Sequence, residues 1–332
     1  MNNIKVNDIT PDTRKTMRTR IITALILVGI VLPTLILGGW YFVILIFVVL
    51  LWAIHEFINA PAHDRYHILV HVFIYIVTLA IVFWIFVKSN VNSVGWDLGD
   101  WKFENGLNHI EVSTISIAVT TCVLFMISLT NKNFNINDVT YLFTMIIFIG
   151  LSSQGILFLR YFPSFAFQNN HLLNYPEPTW WSTSFLIIYV LLGTFMSDIG
   201  AYFTGVIFGR NKMNPRISPK KTWEGFAGGV ALSIIASLAF AFIADACGYP
   251  LLPFMTLQEW YWVVGISIVM PFLSTLGDFI FSAIKRNFNI KDYGTIFPGM
   301  GGVLDRIDSL LVTSLVVAII ITFINNGWSL MA

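Results

Sequence analysis

Long apolar runs constrain this chain more than any other feature. The sequence has 332 residues, of which 56% are hydrophobic and 11% are charged, whereas soluble domains average about 25% charged residues. Because a helix of about 20 apolar residues crosses the hydrocarbon core of a bilayer, the runs predict an all-α, polytopic integral membrane protein with about nine transmembrane helices. The expected spans are residues 21–38, 40–58, 67–87, 112–130, 139–160, 183–208, 226–246, 260–281 and 306–325.

The distribution of positive charge predicts how these helices are oriented. If the N-terminus is cytoplasmic, all but three of the 19 lysines and arginines fall on the inner side, and the exceptions are Lys88, Lys102 and Arg160. Lysine and arginine accumulate in cytoplasmic loops. We therefore expect a multi-pass protein of the plasma (cytoplasmic) membrane with a cytoplasmic N-terminus.

The chain divides into three predicted regions. Residues 1–20 form a cytoplasmic tail, residues 21–182 an N-terminal transmembrane region, and residues 183–332 a second transmembrane region that carries the chemistry. The N-terminal region is expected to have two extracytoplasmic loops, at 88–111 and 161–182, which are rich in aromatic residues and proline.

The N-terminal region carries little chemical signal. His63, His67 and His71 recur at every fourth residue and would share one helix face. Either a metal site or ordinary interfacial histidines can account for them. Glu56 stands at the inner end of the second span and is expected to face water.

The sixth span has a different character. Gly193, Ser197, Ala201 and Gly205 place a small residue at every fourth position, which lets another helix approach closely. Asp198 lies beside this stripe. An ionisable group inside a membrane is costly and indicates a functional site, although a carboxylate that only bonds a neighbouring helix is the alternative.

A basic loop at residues 209–225 follows. Ser218, Lys220, Lys221 and Thr222 directly precede a helix predicted to begin near Trp223. A helix N-terminus offers free N–H groups and the positive end of its dipole, and two lysines add charge. The segment favours binding of a polyanion such as a triphosphate, while an ordinary positive-inside loop remains the alternative.

The densest group of charges lies at residues 274–309. If the eighth helix continues past its inner end, Ser274, Asp278, Ser282 and Lys285 form one stripe on its surface. This stripe would put a carboxylate, hydroxyls and an ammonium on one wall of a cavity at the membrane edge.

The ninth span begins with a second pair of carboxylates. Asp305 and Asp308 are three residues apart and share a helix face, so two helices could aim Asp278 and Asp305 at one point. A few hard oxygen ligands with room for substrate phosphates are typical of Mg²⁺ sites. Between the helices, Gly294 and the segment 298–302 form a loop whose backbone can approach a ligand closely.

These motifs together resemble those of the CDP-diacylglycerol synthases, also called phosphatidate cytidylyltransferases. The match extends over about residues 197–309 and is more specific than any short motif. One position departs from the family pattern, because Met300 stands where the family has histidine. The matching segments are Asp198 with Ala201, Tyr202 and Gly205; Ser218–Gly225; Gly277 and Asp278; Ser282–Arg286; Lys291 and Asp292; Pro298–Gly302; and Asp305–Asp308.

The resemblance implies that CTP and phosphatidate react to give CDP-diacylglycerol and pyrophosphate. It also implies Mg²⁺ as cofactor, with a second metal ion left open, and a bilayer-embedded homodimer that binds no nucleic acid. The implied catalytic residues are Asp278, Lys285, Arg286, Asp305 and Arg306. The implied metal ligands are Asp278 and Asp305, with Asp198, Asp292 and Asp308 as further ligands or partners of the cations. The implied substrate-binding residues are Ser218, Lys220, Lys221, Thr222, Ser282, Lys291, Gly301 and Gly302.

Three other interpretations stay open. A CTP-dependent lipid kinase could use a similar architecture, and an ion-coupled transporter could also keep carboxylates within its spans. Transporters place such charges near the midplane on broken helices, whereas these lie toward one membrane edge. An inactive paralogue is the third alternative, and Met300 is the residue that favours it.

Overall fold

The architecture is a bundle of α-helices, seen here in a computed structural model that describes residues 11–61, 65–88, 112–170 and 179–325. Two short 3₁₀ turns, Ser182–Ser184 and Leu257–Glu259, precede α6 and α8. The helices are α1 (Pro11–Leu37), α2 (Gly39–Asn59), α3 (Ile68–Lys88), α4 (Val112–Thr130), α5 (Ile136–Asn170), α6 (Phe185–Phe208), α7 (Trp223–Ala246), α8 (Trp260–Asn287) and α9 (Leu304–Asn325).

The predicted fold class, a helical protein with several membrane-spanning helices, is confirmed. Within the described part of the chain, six helices (α2 and α5 to α9) are long and apolar enough to cross a membrane. Shorter apolar stretches lie in α1, α3 and α4, at Ile22–Leu37, Ile68–Phe83 and Ile117–Thr130. The number of nine spans therefore stays a prediction, as does the orientation of the N-terminus.

Three boundaries differ from the expected ones. The basic loop is not wholly irregular, because β1 (Lys212–Asn214) and β2 (Ser218–Thr222) pair antiparallel within it. Helix α5 continues to Asn170, so the first part of the segment 161–182 is helix and not loop. Helix α1 already begins at Pro11, within the predicted tail. Most of the other expected loop, residues 89–111, lies outside the described residues.

Helix α9 occupies the centre of the bundle and packs against both α5 and α8. Its first turns are buried, and small or polar side chains such as Ser309 and Ser314 let the neighbours approach. A Cβ on Gly155 of α5 would lie 2.9 Å from the backbone oxygen of Ser314. Helix α9 therefore lies directly against the backbone of α5 at this level, and its buried first turns carry Asp305 and Asp308.

The small-residue stripe on α6 packs against α7, as the sequence predicts for a closely approaching helix. The hydroxyl of Ser233 donates to the backbone oxygen of Gly193 at 2.6 Å. A Cβ on Gly229 would lie 2.6 Å from the backbone oxygen of Ser197. Small residues on both helices therefore let the backbones of α6 and α7 approach closely.

Replacement of Gly229 by alanine tests this contact. The added methyl group meets backbone and cannot be accommodated by a rotamer change, so Gly229→Ala is expected to destabilise the protein by about 1–3 kcal/mol. The measurement is thermal unfolding of the purified protein in detergent.

Gly265 of α8 is the matched control, because a Cβ there meets no atom within 4 Å. Gly265→Ala should leave the melting temperature unchanged or raise it, since alanine favours helix over glycine by up to about 1 kcal/mol. Equal effects at the two positions would contradict the packing role of Gly229.

Candidate active site

A cavity of about 440 Å³ lies between α6, the β-hairpin, α7 and α8. Its volume is that of a small-molecule site. Two carboxylates and three ammonium groups face an otherwise largely apolar wall. The charged lining residues are Asp198, Asp278, Lys212, Lys220 and Lys221, and the large apolar ones are Tyr202, Val206, Met213 and Phe226.

The hairpin and the start of α7 position the lysines. Strand β2 leads directly into α7, and the Thr222 hydroxyl caps the helix by accepting the Gly225 N–H at 3.1 Å. The Trp223 N–H bonds the Asn211 carbonyl at 2.9 Å. The helix begins at the predicted residue, but these N–H groups are bonded within the chain. Lys220 and Lys221 are the groups this segment offers to an anion.

Asp278 lies at the centre of the cavity's charged wall. Its Oδ2 pairs with Nζ of Lys221 at 2.5 Å, and its Oδ1 accepts from the Ser309 hydroxyl at 2.9 Å. The Lys221 ammonium also lies 4.7 Å from the centroid of the Phe279 ring, a cation–π contact. Both members of the pair are about one-quarter exposed, at 27% for Lys221 and 24% for Asp278.

Glycine makes the placement of Asp278 possible. A Cβ on Gly277 would lie 2.7 Å from the Asp308 backbone oxygen and 2.9 Å from the Ser309 Cα. Helix α9 can therefore approach α8 at this level, which brings Ser309 within hydrogen-bond distance of Asp278. Any larger residue at 277 would separate the two helices.

Asp198, Asp278 and Asp308, which we call the acidic trio, come from three helices. Asp198 and Asp308 each lie close enough to Asp278 for electrostatic repulsion. Asp198 accepts from the Ser274 hydroxyl at 3.2 Å and lines the cavity, whereas Asp308 is buried. Repulsion among carboxylates in a partly buried site is relieved either by a cation among them or by protonation of one of them.

Asp198 and Asp278, the two members of the trio that line the cavity, have the chemistry of magnesium ligands. Among the described residues, no three histidine, cysteine or acidic side chains are arranged to hold a metal by themselves. Mg²⁺ is bound through one or two carboxylates, with waters and substrate phosphates completing its octahedron. Asp278 and Asp198 present hard oxygen atoms to a cavity with room for such groups.

Asp305 lies in a second cluster and its oxygen atoms are engaged there. Oδ1 pairs with Nζ of Lys285 at 2.6 Å, while Oδ2 accepts the N–H groups of Tyr293 at 2.8 Å and Gly302 at 3.0 Å. Its side chain is 3% exposed. The structure thus places Asp305 where it organises the glycine-rich loop, while Asp278 faces the cavity. The predicted role of Asp305 as metal ligand stays a prediction.

The glycine-rich loop makes a tight turn beside Asp305. Phe297 and Gly301 exchange backbone hydrogen bonds, and Gly299 and Gly301 have φ angles of 75° and 91°. A Cβ on Gly301 would also lie 2.9 Å from Oδ2 of Asp305. Met300 lies in this turn and is not among the described residues that line the cavity.

Tyr293 is a buried tyrosine of this loop that lies beside Lys285. The Tyr293 phenol donates to the Phe281 carbonyl at 3.3 Å, and its ring lies 5.5 Å from the Lys285 ammonium. Burial raises the pKa of Tyr293, and the nearby Tyr141 and Asp305 raise it further. The phenol therefore stays neutral and serves as a hydrogen-bond donor and a wall for Lys285.

Glu56 is the residue that sequence reasoning missed. The expectation that it faces water is wrong, because it is 4% exposed. Its two carboxylate oxygens accept the N–H groups of Val303 and Leu304, each at 2.8 Å, at the start of α9. The available signal was a carboxylate within an apolar helix, which is costly unless it has a specific partner.

The remaining predicted residues surround these clusters. Arg286 donates from Nε to the Ile217 carbonyl at 3.4 Å and so connects α8 to the hairpin. Arg306 is exposed and close enough to Asp198 to attract it. Lys291 and Asp292 are exposed on the loop, and Ser218 and Ser282 are partly buried. His63 lies outside the described residues, and His67 is exposed.

The fold and the site together are those of a helical membrane protein whose cavity is lined by carboxylates and lysines. The chain belongs to the cytidylyltransferase family, whose family model matches residues 18–324.

Relatives named phosphatidate cytidylyltransferase support this assignment. The protein from Staphylococcus haemolyticus is 28% identical over 89% of this chain and 95% of its own length. The protein from Staphylococcus aureus is 27% identical with the same coverage. The Bacillus subtilis protein is 30% identical over 62% of this chain and 66% of its own length.

Substitution of Asp305 and of Asp278 should distinguish a structural aspartate from one that faces the cavity. Asp305→Asn removes one partner of a buried ion pair and is expected to cost about 3–5 kcal/mol of stability. Asp278→Asn breaks a partly exposed pair and is expected to change stability by less than about 1 kcal/mol. Thermal unfolding in detergent, without metal or nucleotide, measures both.

The same experiment can contradict this division of roles. If Asp278→Asn destabilises the protein as much as Asp305→Asn, then Asp278 is a structural residue and the cavity is not the site.

Proposed function

We propose that this protein transfers the cytidylyl group of CTP to phosphatidate, giving CDP-diacylglycerol and pyrophosphate in phospholipid biosynthesis. The observation that carries the proposal is the pairing of Asp278 with Lys221 in a cavity that Asp198 and Lys220 also line. Carboxylates for a metal and ammonium groups for phosphates are the two requirements of this reaction. The names of the relatives agree with it.

The two substrates reach the cavity from different sides. Lys220 is exposed at the mouth and, with Lys221, is placed to bind the triphosphate of CTP from the aqueous side. Tyr202 and Val206 line the cavity but are also 67% and 70% exposed on the outer, apolar face of α6. This shared wall supports lateral access for a lipid whose tails remain in the bilayer.

The reaction needs positioning more than proton transfer. A phosphate oxygen of phosphatidate attacks the α-phosphorus of CTP, the new phosphorus–oxygen bond forms, and the bond to pyrophosphate breaks. The nucleophile is already ionised near neutral pH, so no histidine base is required and Met300 is compatible with activity. Arg286 and Lys291 are exposed and are the proposed partners of the lipid phosphate or the pyrophosphate. Lys285 is proposed to support them from its buried pair with Asp305, and Arg306 is proposed to stabilise charge in the transition state.

Magnesium is the proposed cofactor, and Asp278 and Asp198 are the two carboxylates that line the cavity. Asp278 and Asp198 would hold it from the cavity side, and Asp305, Asp308 and Asp292 are proposed as further ligands or as partners of the cations. When bound, the metal neutralises charge on the reacting phosphates. Lys221 must then leave Asp278 and pair with phosphate, so that one ion pair is exchanged for another within the cavity.

We further propose nine transmembrane helices with a cytoplasmic N-terminus in the plasma membrane. The biased distribution of lysine and arginine supports this orientation. It places the hairpin, the glycine-rich loop and the cavity mouth on the cytoplasmic side, where CTP is available. A homodimer is proposed on the family resemblance.

Product analysis tests the proposed reaction. Purified protein with Mg²⁺, phosphatidate and cytidine-labelled CTP should yield a labelled lipid and release pyrophosphate, and chelation should abolish both. Asp278→Asn and Asp198→Asn should each lower kcat/KM by about 100-fold or more, because each removes charge stabilisation of the transition state. Release of CDP would instead indicate a lipid kinase.

Lys132 provides the matched control for a lost cation. It lies in the exposed turn between α4 and α5, so Lys132→Met should retain normal activity. Lys221→Met should raise the KM for CTP. Full activity of Lys221→Met and Asp278→Asn would overturn the assignment of the cavity.

The Lys221–Asp278 pair also predicts how metal and nucleotide binding are linked. Without nucleotide, Lys221 competes with a cation for the Asp278 carboxylate. Lys221→Met should therefore bind Mn²⁺ alone several-fold more tightly than the unchanged protein, measured by electron paramagnetic resonance of free Mn²⁺. In Lys221→Met, CTP should enhance Mn²⁺ binding less than it does in the unchanged protein. Unaltered Mn²⁺ affinity would contradict the exchange of partners.

A further inference from the structure

Glu56 connects the N-terminal half of the chain to the proposed catalytic half. It lies near the end of α2, and its carboxylate accepts the N–H groups of Val303 and Leu304, each at 2.8 Å. These two residues immediately precede Asp305. Glu56 is 4% exposed, so its hydrogen bonds form in a site without solvent competition.

The two hydrogen bonds cap α9 from another helix. The first N–H groups of a helix have no partner within it, and the positive end of the dipole attracts a negative charge. Glu56 supplies both the acceptors and the charge at the start of α9. Asp305 and Asp308 lie in the first turns of α9. By fixing the start of the helix, Glu56 therefore fixes the positions of these two carboxylates.

The glycine-rich loop is fitted around the Glu56 side chain. A Cβ on Gly294 would lie 3.0 Å from the Glu56 Cδ and 3.2 Å from its Cγ, with Oε1 closer still. A Cβ on Gly302 would lie 2.6 Å from the Glu56 Cδ. A side chain at either glycine would clash with Glu56. The glycine-rich loop therefore packs against the carboxylate of Glu56, which belongs to α2.

We infer that Glu56 is a positioning residue for the cytidylyl transfer. It holds the glycine-rich loop and the start of α9 so that Lys285, Asp305 and the acidic trio keep one arrangement. The expected effect on kcat rests on the proposed function. The expected effect on the loop can be measured on the protein without any substrate. Glu56 itself touches no reacting atom.

Glu56→Gln is the test variant. Glutamine keeps the size but turns one acceptor into an NH₂ donor that faces a backbone N–H, so one hydrogen bond is lost and a donor is left unpaired. Hydrogen–deuterium exchange should rise by about tenfold or more at the amides of residues 293–304. Per folded molecule, kcat should fall by about tenfold while the KM for CTP changes little, because the cavity lysines are untouched.

Asp138→Asn is the matched control. Asp138 is also a buried carboxylate that caps a helix, accepting the Asn135 N–H at 2.9 Å and the Tyr66 hydroxyl at 3.0 Å. Its partners lie in the N-terminal half. Asp138→Asn should lower the melting temperature but leave kcat per folded molecule and the exchange of residues 293–304 unchanged.

A double-mutant cycle keeps the inference testable if Glu56→Gln folds poorly. Gly294→Ala should disturb the loop in the unchanged protein, because its methyl group meets Glu56. In a Glu56→Ala background the same substitution meets an open space, so its effect on loop exchange should be much smaller. Additive effects would contradict the proposed contact.

The outcomes separate the two proposals. If loop exchange in Glu56→Gln matches that of the unchanged protein, the positioning role is overturned whatever the activity. If loop exchange rises but kcat per folded molecule stays normal, Glu56 is structural only and the inference is again overturned. Failure of the unchanged protein to form CDP-diacylglycerol contradicts the proposed function, while increased loop exchange in Glu56→Gln would still support the Glu56 contact.

Discussion

The close approach of α8 and α9 at Gly277 is the contact on which the site depends. Without a side chain at this position, the backbone of α9 lies against α8, and Ser309 reaches Asp278. Asp308 comes within electrostatic range of Asp278 for the same reason. In a membrane, where apolar side chains gain little by leaving lipid for protein, such backbone contacts through small residues provide much of the helix association. The same helix contact therefore packs the bundle and brings the charged groups of the site together.

A second helix pair completes the cavity by the same means. Helices α6 and α7 meet through glycine and serine, which brings Asp198 and the N-terminal end of α7 to the same side of the bundle. The hairpin then carries Lys220 and Lys221 over the cavity. The two lysines and the carboxylates stand on different elements, so the attraction between Lys221 and Asp278 depends on helix packing and not on local sequence. The close contact between α8 and α9 and the one between α6 and α7 thus position the residues that line the cavity.

The two clusters of charge divide the tasks of the site. Around Asp278 the ion pair with Lys221 is about one-quarter exposed, which in the proposed mechanism allows an exchange of partners when ligands bind. Both oxygens of Asp305 and of Asp278 bond the chain, but around Asp305 the paired side chains are buried, at 3% exposure for Asp305 and 11% for Lys285. Buried charge pairs resist rearrangement because an unpaired partner is costly. In the proposed mechanism the Asp305 cluster and Glu56 are therefore the rigid frame, and the Asp278 cluster beside them responds to substrate.

Much of this protein could be predicted from the sequence because its signals are local. Apolar runs of bilayer length predicted the helices, and the small residues at every fourth position of α6 predicted a close helix partner. The stripe from Ser274 to Lys285 follows from helical periodicity alone. The β-hairpin was missed because its strands are short and rich in lysine and proline. The continuation of α5 to Asn170 was missed because aromatic residues and Pro163 also suit an interfacial loop.

The role of Glu56 and the separation of Asp278 from Asp305 depend on tertiary structure. Glu56 bonds residues 247 and 248 positions further along the chain, and no local pattern specifies that pairing. Asp278 and Asp305 carry the same functional group, and only their neighbours distinguish a carboxylate that faces a cavity from one that binds a loop. The sequence alone determined which elements form and which residue types they carry. The tertiary structure decided which charges meet, because the fate of a buried charge depends on the partners that distant segments bring to it.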